Sequence, residues 1–307
     1  MLTYALKRLA LAVPTMLALM LITFVVMKAV PGGPFDDEKA LPPDVKAAIE
    51  KSYHFDEPVL RQFARYVSGA LSGDLGPSYR YAGSRTVNEV IAESFPVSAQ
   101  LGLVALAFAM SAGIPLGVLA ARHRGGALDF SAMFLAIAGV SLPSYLVASV
   151  LILVFSLWLG WLPPALWEDW RSMVLPAVTL GLRPLAMVAR LTRASLLETL
   201  HSDYVRTAEA KGLGARSILF KHALKNALIP VVTLLGPLVA ATVAGSFVVE
   251  MIFAIPGMGK HFVSAVIDRD YTLIMGLTLV YGVLVIGANL AVDLVYGWID
   301  PRMRAQT

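Results

Sequence analysis

Cysteine is absent from the 307 residues, which excludes disulfides, thiol nucleophiles and thiolate metal centres. Histidine is rare. His54, His123, His201, His222 and His261 all fall in loops or at the ends of apolar runs, and none pairs at metal-ligand spacing. A phosphate loop is missing too: Gly257-Met258-Gly259-Lys260-His261 lacks both the four-residue gap between glycines and the Ser/Thr after lysine. No apolar run carries a Ser-Lys or Asp-Asp pair suited to intramembrane hydrolysis. There is neither an internal repeat nor an acidic cluster in the middle of an apolar run, the features of ion-driven secondary transporters. These absences argue against a membrane enzyme and against an ATP-independent carrier.

What is abundant is apolar surface. Hydrophobic residues make up 57% of the chain and charged residues 15%, with a mean hydropathy of +0.71. A soluble domain has no interior large enough for that surface, whereas a bilayer solvates it. Uncharged runs occupy 9–27, 94–121, 130–167, 226–249 and 271–292, and a sixth run, 172–189, is interrupted only by Arg183. A crossing needs about 20 such residues. The expectation is an all-α integral membrane protein with six transmembrane helices, the third near 130–157. The first run exceeds the apolar length of a signal peptide and no small-x-small site follows it, so it reads as a retained helix.

The charges between the runs are sorted by side. The side that holds both termini carries net +8, including seven basic residues from Arg190 to Lys225, against −4 on the other. Basic loops stay inside, so both termini and the 190–225 loop are expected in the cytoplasm, and the positive balance requires no nucleic acid. Trp158, Trp161, Trp167 and Trp170 then cluster at the outer headgroup level.

Between the first two crossings lies a polar insert, 31–95. Pro42-Pro43-Asp44 marks a helix start, and after Pro58 the apolar residues Val59, Leu60, Phe63, Tyr66, Val67, Ala70 and Leu71 repeat at three and four, ended by Gly73-Asp74-Leu75-Gly76-Pro77. That amphipathic helix reads either as a cap resting on the membrane or as a platform for an external partner. A second outer segment, 250–271, contains Pro256-Gly257-Met258-Gly259 and Asp268-Arg269-Asp270, and fits a hairpin folded against the external mouth. Two charges fall inside apolar segments. Arg183 either lines a water-filled path or pairs with a carboxylate; Asp293, near the end of the last run, caps or pairs locally.

The 204–230 stretch is basic and broken by glycine. Ser202 or Asp203 is placed to cap a short helix over 204–211 that stops at Gly212, and Gly214 frees the chain before it enters the fifth crossing. Tyr204, Arg206, Ala208, Glu209, Lys211, Gly212, Leu213 and Gly214 form the expected contact with a soluble partner, in a loop that is not expected to pack the transmembrane core. Composition alone favours an ordinary basic loop facing water and anionic headgroups.

This loop resembles the cytoplasmic EAA loop of ABC-type importer permeases: Glu-Ala-Ala, three residues, Gly, nine residues, then Ile-x-Leu-Pro. Ala208 matches the second alanine, Gly212 the glycine, and His222 and Leu224 stand at the Ile and Leu positions. Arg206 and Thr207 replace Glu-Ala, and Lys225 replaces the proline, with Pro230 five residues later. That variant is similar to the peptide-importer branch. So are Gly73-Asp74-Leu75-Gly76, Gly113-Ile114-Pro115-Leu116-Gly117, Ile252-Phe253 with Pro256-Gly257-Met258-Gly259, Asp268-Arg269-Asp270-Tyr271 and Asp300-Pro301-Arg302. Pro34-Phe35, Leu41-Pro42-Pro43, Pro77-Ser78-Tyr79 and Ser94-Phe95-Pro96-Val97-Ser98-Ala99 most resemble the B-type subunit of bacterial oligopeptide importers.

The resemblance implies a type I importer permease fold: helix 1 over 1–30, an external helical insert over 31–95, a five-helix core over 96–298 with the 190–225 coupling loop and the 250–271 hairpin, and a cytoplasmic tail over 299–307. It implies a non-catalytic subunit in a bacterial inner membrane, without a cofactor or metal of its own. The partners would be a homologous C-type permease, two cytoplasmic ATPases that hold ATP and Mg, and an external peptide-binding protein that delivers the peptide. Ile252, Phe253, Pro256, Gly257 and Gly259 would form the outer gate or docking surface. A dipeptide or nickel importer is the alternative within the same family.

Overall fold

A computed structural model describes residues 2–33, 43–81 and 84–299. Among these the chain is helical, and its β-type pairing is one isolated bridge between Pro77 and Thr86. Pro34-Phe35, Leu41-Pro42 and the 300–307 part of the tail, with Asp300-Pro301-Arg302, lie outside the described residues.

The long helices follow the apolar runs. α1 (Leu2–Ala29), α4 (Val87–Arg122), α7 (Trp170–Leu200) and α14 (Tyr271–Ile299) each hold a stretch long and apolar enough to cross a membrane, as does Ile229–Ile252. α7 runs unbroken through Pro176, Arg183 and Pro184. The third crossing departs from expectation. α5 (Ala127–Ser141) and α6 (Ser144–Leu151), which continues as a π-helical stretch over Ile152–Trp158, meet at a bend of 110°. Pro143 causes the break, because it has no N–H to continue the α5 ladder and its ring disfavours helical backbone at Leu142, which is extended. The described chain therefore has five spans, or six if the bent pair counts as one.

α4 and α7 form the central pair and pack at glycine-width contacts. A Cβ on Gly181 would stand 2.6 Å from the Ala105 carbonyl, and one on Gly117 would stand 2.5 Å from that of Ala189. Close backbone approach through small residues is how helices associate where no hydrophobic force acts between them. α5 lies against α7, clamped by Arg193, whose Nε and Nη2 donate to both oxygens of buried Asp129 at 2.6 and 2.7 Å. α11 (Ile229–Val243) packs on α14, and α1 packs on the outside of α14. Arg8 of α1 pairs with Asp293 of α14 at 2.8 Å, so that intramembrane acid pairs across helices and not within its own.

The insert contributes α2 (Pro43–Ser52) and α3 (Val59–Leu71). In α3, Phe63, Tyr66, Val67 and Ala70 pack on a core cluster with Phe24 and Met275, whereas Val59, Leu60 and Leu71 face outward. The insert is thus tied to α1 and α14 by one face and leaves the other uncovered. The four tryptophans lie together around the start of α7: Trp158, Trp161 and Trp170 are exposed, and Trp167 packs on a cluster with Phe253.

Candidate functional site

At one end of the bundle sits α8 (Asp203–Ala210). Ser202 occupies the N-cap position without capping; its hydroxyl donates back to the Thr199 carbonyl at 2.6 Å. Asp203 in the first turn offers negative charge to the helix dipole instead. The helix stops as the sequence requires. Gly212 takes φ +75°, its N–H donates to Glu209 O (2.9 Å), and Leu213 N–H donates to Ala208 O (3.3 Å), the paired bonds of a Schellman cap.

The two faces of α8 differ. Val205 and Ala208 are buried against Ala121 at the end of α4, Leu196 of α7 and Ile218, Leu219 and Ala223 beyond the loop. Tyr204, Arg206, Glu209, Lys211, Gly212, Leu213 and Gly214 are exposed. Asn226 Nδ2 donates to the Tyr204 hydroxyl at 2.8 Å, tying α8 to α10 (Leu224–Ala227). This corrects the expectation that the loop stands apart from core packing: a helix with two small apolar residues one turn apart gains most by burying them on the helix ends beneath it. Ala208 therefore points inward, away from any soluble partner. The chain re-enters through α9 (Ala215–Ser217) and a π-helical turn, Ile218–Ala223, which leaves Phe220 half exposed in a cleft with Glu209, Leu213 and Arg216. Sequence reasoning missed Phe220; only the π-turn decides which way it faces.

At the opposite end, Gly245 (φ +86°) breaks the Ile229–Ile252 span, and α12 (Phe247–Ile252) and α13 (Met258–Ile267) form a helical hairpin. Its organising group is Glu250, which is fully buried. Ser98 of α4 donates to Glu250 Oε1 (2.8 Å), Lys260 N–H donates to Oε2 (3.0 Å), and Met258 N–H donates to Ser98 Oγ (2.8 Å). The glycines now have a reason. A Cβ on Gly257 would sit 2.5 Å from Glu250 Cδ and from Ser98 Oγ, and one on Gly259 would sit 3.0 Å from Glu250 Oε2. Phe253 is buried, and its carbonyl accepts from Leu166 N–H at 2.9 Å. Of the five residues expected at an outer contact surface, Ile252 is half-buried, Phe253, Gly257 and Gly259 are interior, and Pro256 is exposed.

A second buried carboxylate joins hairpin and insert. Asp270 caps α14 by accepting from Leu273 N–H (3.0 Å), and also accepts from Ser78 Oγ and Arg80 N–H. Arg80 pairs with Asp268 at 3.0 Å. Nearby His261 is held below its usual pKa, first by burial and then by the positive charges of Arg80, Lys260 and Arg85. Ser78, Ser98 and Asp270 stand within motifs of the sequence and Glu250 at the start of 250–271, but their pairing was not legible there, since nothing local marks residues whose partners lie 152 or 192 positions away.

Arg183 lies on the exposed side of α7, beside a cavity at the α5–α6 elbow, with no carboxylate partner among the described residues. No cluster of three or more His, Asp or Glu suited to a metal occurs among them either.

A central helix pair, a loop helix seated on its end and a hairpin anchored by a buried acid fit a membrane component of a transport system. Residues 113–305 match the family described as binding-protein-dependent transport system inner membrane component, and the chain belongs to that family. It is 46% identical over 98% of its length to the dipeptide transport system permease protein DppB of Bacillus subtilis, covering 97% of that protein. It is 44% identical over 99% of its length to the oligopeptide transport system permease protein OppB of Haemophilus influenzae, and 43% identical over the same share to that of Escherichia coli K12, covering 100% of each. A chain of the inward-facing MetNI methionine ABC transporter superposes with a TM-score of 0.55 at 18% identity, over 69% of this chain and 96% of that one, and shares its fold.

Proposed function

We propose that the chain is the B-type permease subunit of an ATP-driven oligopeptide importer in a bacterial inner membrane. In this reading it forms half of the path, pairs with a homologous C-type permease, rests on two cytoplasmic ATPases that carry ATP and Mg, and receives peptide from an external binding protein. It does no chemistry itself. Both termini and α8 are cytoplasmic; the insert and the α12–α13 hairpin face outward and shape the external gate.

The observation that carries this reading is the two-faced α8. One face is locked to the ends of α4 and α7 through Val205 and Ala208, and the other presents Tyr204, Arg206, Glu209 and Lys211 to solvent. A partner that moves the exposed face moves the central helices with it, because close-packed interfaces transmit displacement rather than absorb it. Similarity to both dipeptide and oligopeptide permeases favours a peptide over nickel. Purification in mild detergent followed by identification of bound subunits, then peptide uptake by the reconstituted complex, tests the reading. ATP-dependent peptide uptake supports it; uptake by the isolated chain without ATP overturns it.

A further inference from the structure

Arg183 stands 13 residues into α7, about 20 Å from Trp170 and about 25 Å from Leu200 at the helical rise per residue. Both distances place it well inside a hydrocarbon core of about 30 Å. A charge at such depth costs at least about 2.5 kcal/mol if it faces lipid, so it faces protein or water. Among the described residues no carboxylate pairs with it. The acids embedded in the described spans are already engaged: Asp129 with Arg193, Glu250 with Ser98 and Lys260 N–H, and Asp293 with Arg8.

A second observation points to the same place. The elbow between α5 and α6 is irregular backbone at membrane depth, and such backbone occurs only where protein covers it or where it lines a water-filled cavity. Here it lines a cavity of about 370 Å³ whose wall includes Ser141, Leu142, Pro143, Tyr145, Thr179 and Arg183. The exposed guanidinium and the broken helix, each excluded from lipid for its own reason, thus share one cavity.

Resting on the peptide-importer reading, we propose that this cavity is a transient binding site in the path, where Arg183 engages the C-terminal carboxylate of the peptide in transit. Every free peptide carries that carboxylate whatever its side chains. A guanidinium also matches a carboxylate in two parallel hydrogen bonds, a geometry lysine does not reproduce. The site therefore suits a transporter that selects for peptide ends and tolerates variety between them. The competing source of a carboxylate is an acid on the partner permease.

The test uses the full complex in vesicles, with saturating binding protein loaded with tetra-alanine or with its C-terminal amide. Arg183→Gln should lower uptake of the free acid roughly 10- to 100-fold, the loss expected when a hydrogen bond to a charged group is removed. Uptake of the amide should match wild type, Arg183→Lys should recover part of the loss, and both variants should keep the permease pair together and the stimulated ATP hydrolysis. Equal loss for acid and amide, or no loss for either, overturns the proposal. Dissociation of the permease pair in Arg183→Gln assigns the residue to the subunit interface and also overturns it. A wild-type complex that takes up no peptide removes the peptide reading itself, whereas peptide uptake indifferent to Arg183 removes only this site.

Discussion

The Ser98 hydroxyl on α4 donates to Glu250 on α12 across 2.8 Å while accepting the Met258 N–H from the start of α13. One serine therefore joins the central helix pair to both arms of the α12–α13 hairpin. The hairpin is held by polar groups in an apolar setting, where a satisfied bond stabilises modestly and an orphaned partner costs more.

Removing the acid should loosen the hairpin. Glu250→Ala leaves Ser98 and Lys260 N–H without their acceptor and should destabilise the hairpin by about 3 kcal/mol; Glu250→Gln keeps one oxygen and should cost less. Gly257→Ala forces a methyl into the carboxylate and Ser98 and should cost about 1–3 kcal/mol. Protease sensitivity of 250–271 in detergent, beside thermal unfolding, reads these effects. Wild-type protection in Glu250→Ala would show that the hairpin does not depend on this acid.

Coupling is expected to fail at Gly212. Any L side chain there is strained by about 1–2 kcal/mol at φ +75°, yet no atom lies within 4 Å of the position of its Cβ, so the fold has room for it. Gly212→Leu should leave the helical core assembled and lower ATPase retention and peptide-stimulated hydrolysis, because the new side chain projects into the docking surface. Gly214→Ala, with φ −64° and open space around it, should be near neutral. Retention and hydrolysis at wild-type level in Gly212→Leu would remove α8 as the coupling element.

Val205→Asp attacks the same helix from beneath. It buries a charge against Ala121 and Leu196 and should unseat α8, uncoupling hydrolysis from uptake while the exposed face keeps its own residues. Normal coupling would mean that the seat does not transmit motion.

Orientation is open to direct measurement, since the chain has no native cysteine. Single cysteines replacing Asp74 or Lys260 should react with an impermeant thiol reagent in cells with a permeabilised outer envelope, and those replacing Arg124 or Arg216 should not. The reverse pattern inverts the topology.

Acid should weaken the α12–α13 hairpin through His261. Its pKa in the fold lies below the value of about 6.5 expected in an unfolded chain, so the folded state binds fewer protons just below that pH. The neutral ring's contribution is present above about pH 6.5 and is lost as pH falls through the window beneath it. Hydrogen exchange of 258–267 between pH 7.5 and 5.5 should accelerate in wild type and change less in His261→Gln. Equal acceleration in both would assign the effect to other groups.

Membrane insertion, the approximate spans and the α8 cap were determined by the sequence alone, because each depends on local properties. Twenty apolar residues partition into a bilayer wherever they occur, and Gly212 takes a left-handed turn because its lack of Cβ makes that turn inexpensive. The insert helix after Pro58 was legible in the same way, from its period. The bend at Pro143 was missed, since the apolar run over 130–157 reads as one crossing and the 110° redirection depends on what α6 packs against. The pairings that organise the ends were decided only in three dimensions. Glu250 finds Ser98, Asp270 finds Ser78, and Asp293 finds Arg8 because helix packing brings distant positions within hydrogen-bond reach. Likewise the sequence places Arg183 at membrane depth, but only the packing of α7 against the α5–α6 elbow puts its guanidinium on the cavity there.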